Sequence, residues 1–67
     1  MFTEKEIKEL ISSAIEKSEK FLSEDSPQNA EIILNQLLKI NPDNLKAMQL
    51  LGMSQYKQEK YKEAKDT

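Results

Sequence analysis

Apolar and polar positions follow a helical rhythm from the start of the chain. Apolar side chains fall at positions 7, 10, 11, 14, 15, 21 and 22, with Ser18 in the gap. That is the spacing of an amphipathic α-helix. Thr3-Glu4-Lys5-Glu6 has the form of a capping box, so this helix is predicted to begin at Thr3 and to end at Ser23 or Glu24. Ser26-Pro27 opens a second helix, with serine as N-cap and proline at the first helical position. Ala30, Ile33, Leu34, Leu37 and Leu38 form its apolar stripe, and Asn41-Pro42-Asp43-Asn44 ends it. Asp43 or Asn44 caps a third helix with Ala47, Met48, Leu51 and Gly52 on its apolar face and Tyr56 toward its end. Gln58-Glu59-Lys60 reads as a short break, after which a short fourth helix begins near Tyr61. No segment alternates apolar and polar residues as a strand does.

Adjacent apolar pairs recur at Leu10-Ile11, Phe21-Leu22, Ile33-Leu34, Leu37-Leu38 and Leu50-Leu51. Neighbours on a helix point about 100° apart, so each pair widens the apolar stripe beyond what a single partner helix covers. Helices with two neighbours require this, as in a bundle or a stacked layer. The expected fold class is all-α, built from antiparallel helix-turn-helix units.

The helical punctuation repeats. Ala30 and Ala64 lie 34 residues apart, as do Ser18 and Gly52, and Ile11 and Leu45. Residues 3–10 are then an N-terminal helix extension, 11–44 one complete unit, and 45–67 a truncated second unit, within a single domain spanning 1–67. Met48-x-x-Leu51-Gly52, then Tyr56-Lys57-Gln58, then Tyr61-Lys62-Glu63-Ala64 carry the second unit; Ala30, Leu34, Leu37 and Ile40-Asn41-Pro42-Asp43 carry the first. This resembles the tetratricopeptide repeat, in which each unit has a helix A and a helix B. Met48 stands where the family has tryptophan, Gln55 where tyrosine is usual, Leu34 in place of phenylalanine, and Glu59 where the inter-helix turn has glycine. The resemblance implies a right-handed α-solenoid fragment. Ser18, Ala30, Gly52 and Ala64 are expected at close helix crossings, with Leu34, Leu37 and Leu51 filling the space beside them. Tyr61 is expected to start the second helix B, and Pro42 to fix the turn between units.

In tetratricopeptide arrays helix A lines a concave groove that binds other polypeptides. By that resemblance the groove positions are Gln49, Met53, Tyr56 and Lys57, with Ile15, Glu19, Leu22 and Ser23 one unit earlier. Members that grip a C-terminal carboxylate place lysine and asparagine in the groove. The corresponding positions here are Ile15, Glu19, Gln49 and Met53, so an aliphatic or mixed peptide is the better match.

Composition removes other classes. The ten basic side chains are all lysine, set among twelve acidic ones for a net charge of −2. Arginine, the usual bidentate reader of phosphate and guanine, is missing, and the signs alternate rather than cluster. Neither nucleic acid nor an anionic membrane is an expected partner. No stretch approaches the roughly 20 apolar residues of a membrane span. Five of the first ten residues are charged, unlike a signal peptide, so a cytoplasmic location is expected. Histidine and cysteine are both missing, which removes the common nucleophile–base pairs and thiolate or imidazole metal sites. The single glycine excludes a phosphate-cradling loop. The expectation is a non-catalytic protein-binding scaffold with no metal or cofactor.

The repeat pattern stops three residues after Ala64. An open end of this kind is expected to expose Met48, Leu50 and Leu51 and to favour self-association. The chain is read as the N-terminal part of a longer protein. A self-associating helical oligomerisation unit, or the accessory arm of a downstream enzyme domain such as a transferase, are the alternatives.

Overall fold

The computed structural model describes residues 2–66, the last two as backbone only. Three helices follow one another: α1 (Glu4–Ser23), α2 (Pro27–Ile40) and α3 (Leu45–Asp66). The middle helix, α2, packs against both others, whereas α1 and α3 touch each other over a shorter stretch. The molecule measures 49 × 20 × 16 Å. A 22-residue helix such as α3 is only about 33 Å long, so the helices are staggered and overhang at the ends.

The starts and stops follow local chemistry. Thr3 Oγ1 accepts from the Glu6 amide at 3.2 Å, and the Thr3 amide donates back to Glu6 Oε1 at 3.4 Å, completing the predicted box. At the other end of α1 the open carbonyls are taken one by one. Lys20 O accepts from the Glu24 amide, and Phe21 O from the Ser26 amide at 2.8 Å. Asp25 turns the chain at φ 59°, in the left-handed region that aspartate tolerates better than most residues. Ser26 stands at the N-cap of α2, but its hydroxyl makes no capping bond; its carbonyl accepts from Asn29 and Ala30 instead. Asn44, rather than Asp43, caps α3 through Oδ1, which accepts from the Ala47 amide at 2.9 Å.

The core comprises Leu22, Ala30, Leu34, Leu37, Ala47 and Leu50, with Ile11, Ala14, Ile15, Phe21, Leu38 and Leu51 packed around it. Ser18 and Ser54 are fully buried with them. Each hydroxyl donates at 2.7 Å within its own helix, to Ala14 O and Leu51 O, so both serines serve as small core residues with their polarity satisfied. Ser18 and Ala30 thus occupy the close-packed positions expected of them. Ser54 was missed, although its place beside Ala47 and Leu50 at helical spacing marks it.

Three expectations are corrected. The short fourth helix does not exist: α3 runs unbroken through Gln58-Glu59-Lys60 and on past Tyr61 and Ala64. Glutamate in the turn position, among lysine, glutamine and alanine, offers no left-handed residue to break a helix that these side chains favour. Gly52 is not at a crossing: a Cβ placed there would meet nothing within 4 Å, and Ala64, 34 residues after the buried Ala30, is exposed. Of the residues expected to be uncovered, only Met48 is exposed; Leu50 is buried and Leu51 half-buried, because both turn toward α2 and the core.

Candidate functional site

The geometry of the candidate site follows from how α3 is fastened. Beyond Ser54 its inward side chains reach the junction between α1 and α2. Lys57 Nζ donates to Leu22 O at 2.9 Å, taking another open carbonyl of the last turn of α1. Gln58 Nε2 donates to Glu31 Oε2 at 2.8 Å, and the Tyr61 hydroxyl donates to Asp25 Oδ1 at 2.6 Å. These three contacts hold the C-terminal half of α3 across the end of the α1–α2 hairpin. The Tyr61 phenol is held above its ordinary value of 10.0, first by the hydrogen bond to Asp25, then by desolvation and the aspartate's charge.

With α3 fastened in this way, a cleft of about 260 Å³ opens between α1 and α3, lined by Glu19, Leu22, Ser23, Leu50, Met53 and Lys57. Its floor is aliphatic. Ser23 Oγ is turned onto Lys20 O at 2.8 Å, and the Lys57 ammonium closes one end with one of its three donors used by Leu22. Glu19 meets Lys46 at 3.9 Å in an exposed pair that steers more than it stabilises. A long apolar side chain fits the floor, and a carbonyl or carboxylate suits the lysine end.

The cleft brings together Glu19, Leu22, Ser23, Met53 and Lys57 of the expected groove residues. Ile15 is half-buried against the core instead. Gln49 and Tyr56 stand on the outer side of α3, and the Lys60 ammonium lies 5.2 Å from the centre of the Tyr56 ring. Each is one residue, about 100°, away from the cleft-lining Leu50 and Lys57. The lining stripe is 50, 53, 57; its spacing of three then four residues was available in the sequence, and Leu50 was missed because it was read as part of the uncovered end and not as groove lining.

Among the described residues no group of three or more aspartate, glutamate, histidine or cysteine side chains is placed to hold a metal ion, and no helix is long and apolar enough to cross a membrane. Comparison with protein-family models, with curated proteins and with solved structures gives no match for this chain.

Proposed function

We propose that the chain is a non-catalytic protein–protein interaction module of the tetratricopeptide type, working in the cytoplasm and holding a short segment of another polypeptide in the α1–α3 cleft. The observation that supports it most is that two pairs of positions 34 residues apart, Glu19 with Met53 and Ser23 with Lys57, line one open cleft from facing helices, over a floor that Leu22 and Leu50 supply. Met53 suits such a surface because its unbranched thioether adapts to differently shaped partners. The occupant is a peptide with an aliphatic anchor and a carbonyl or acidic group beside it for Lys57. In this reading the α1–α2 hairpin is the unit 11–44, and α3 supplies helix A of the next.

Selection of binding peptides from a random displayed library, followed by amide chemical-shift mapping, tests this. Binders are expected to shift Glu19, Leu22, Ser23, Leu50, Met53 and Lys57, and to lose affinity on Met53→Asp while circular dichroism is unchanged. Peptides that shift only residues outside the cleft would remove the basis for the proposal.

A further inference from the structure

Two apolar surfaces remain uncovered, and they lie on opposite flanks of α2. Glu31 reaches α3 through Gln58, whereas Ile33 lies about 200° further round the same helix and faces a groove against α1. That groove has an apolar end formed by Leu10, Ala14, Leu37 and Ile40. A second hollow continues it beyond the shared Ile33, with Phe21 at its base and Lys17, Lys20 and Glu24 around it. On the far side of the molecule α3 presents an outward stripe of Leu45, Met48, Gly52 and Tyr56, with Leu45 73% exposed and Tyr56 61%. Glu59 continues the stripe toward the C-terminus and is exposed. Gly52 sits at its middle with open space above it. Glycine weakens a helix interior, and among the described residues nothing packs where its side chain would stand; close approach by a second backbone would use that space.

We propose that this stripe of α3 seats in the α1–α2 groove of a second copy of the chain, head to tail. The two surfaces match in pattern as well as in polarity. The stripe is apolar at Leu45 and Met48 and acidic at Glu59; the groove is apolar at Leu10 and Ile40 and basic at Lys17 and Lys20. From Met48 to Glu59 is about 16 Å along a helix, and from Leu10 to Lys20 about 15 Å, so both ends register at once. The arriving α3 then runs in the same sense as α1, the sense it already has beside its own α1. Glu24, at the basic end of the groove, falls near Lys60 and Lys62. Gly52 lets the arriving helix sink onto Ala14 and Ile33. Because the two surfaces are different and face opposite ways, the contact is heterologous and builds a chain or a ring rather than a symmetric pair. The α1–α3 cleft stays open in this arrangement, so the inference stands or falls apart from the peptide-binding proposal.

Sedimentation equilibrium from micromolar to millimolar concentration tests it. The natural chain is expected to form species beyond a dimer. Gly52→Lys blocks the stripe and Ile40→Lys blocks the groove; each alone is expected to weaken association about tenfold or more. An equimolar mixture of the two is expected to form a one-to-one dimer and stop, because one intact stripe meets one intact groove. Glu59→Lys is expected to weaken association and Lys17→Glu with Lys20→Glu to restore it, which keeps the test open should either blocking variant lose helicity. A natural chain that stays monomeric throughout overturns the proposal. So does a mixture of helical blocked variants no more associated than either alone, or a dimer that survives Ile40→Lys unmixed.

Discussion

The α1–α2 hairpin and α3 are helical for the same local reasons but relate to the rest of the molecule differently. Each helix of the hairpin turns one apolar side to the core, where Leu22, Ala30, Leu34 and Leu37 are all buried, while Leu10 and Ile40 stand exposed at the groove edge. In α3 the apolar residues surround the axis. Ala47, Leu50 and Ser54 face inward, while Leu45, Met48, Met53 and Tyr56 stand exposed on the remaining circumference. A helix that is apolar all round belongs between neighbours. The hairpin therefore covers its inner side and leaves one apolar groove on its outer flank, whereas α3 has one side satisfied and two surfaces, the cleft and the outer stripe, still to be used.

The largest effect expected from breaking this contrast lies in the hairpin. Leu34 is completely buried, and Leu34→Ala is expected to cost about 2–5 kcal/mol, most of the stability of so small a domain. Thermal or urea denaturation reads this directly, and a cost below about 1 kcal/mol would mean that Leu34 is not packed as described. The next test sets two small residues against each other. Ala30→Leu is expected to overpack the α1–α2 contact and cost about 1–3 kcal/mol. Gly52→Ala, which adds a methyl group into open space, is expected to stabilise the monomer by about 0.5–1 kcal/mol, measured at concentrations where the chain is not associated. Equal signs for the two substitutions would erase the distinction between covered and uncovered helix.

A smaller effect concerns the fastening of α3. Tyr61→Phe removes the donor to Asp25 and is expected to leave global stability almost unchanged, because the bond is exposed to solvent. Its signature is local: faster amide hydrogen exchange from residue 58 onward with exchange in α2 unchanged. The smallest effect is on pH. The Tyr61 value is raised in the folded chain, so the contribution of this bond is complete below the ordinary phenol value of 10.0 and is lost as pH rises through the folded value. Titration followed by phenolate absorbance should show one tyrosine ionising late, and Tyr61→Phe should remove that one. A late tyrosine that persists in the variant would assign the shift elsewhere.

Much of the hairpin was legible before any coordinates, because its information is local. The capping box at Thr3, proline at the start of α2 and the stop at Asn41-Pro42 act through bonds to residues three or four positions away, and the apolar spacing points each helix to its partner. Ser18 and Ala30 could be placed because a gap in an apolar stripe filled by a small residue admits few explanations. The groove positions came from the repeat resemblance and not from local pattern; five of them line the cleft, while Gln49 and Tyr56 stand one position off it, because a helix apolar on all sides does not announce which stripe faces its neighbour.

Sequence by itself determined where the three helices begin, the cap at Thr3 and the face that each hairpin helix buries, since these depend on backbone hydrogen bonds and a period of about 3.6 residues. Tertiary structure alone decided what residues 57–61 hold once the helix continues. Their echo of the first unit favoured a turn, but without glycine at Glu59 the local cost of breaking the helix stood uncompensated. The continued helix instead gains hydrogen bonds from Lys57, Gln58 and Tyr61 to Leu22, Glu31 and Asp25, partners 35, 27 and 36 residues away. Contacts at such separation exist only once the hairpin has folded, so no reading of local pattern contains them.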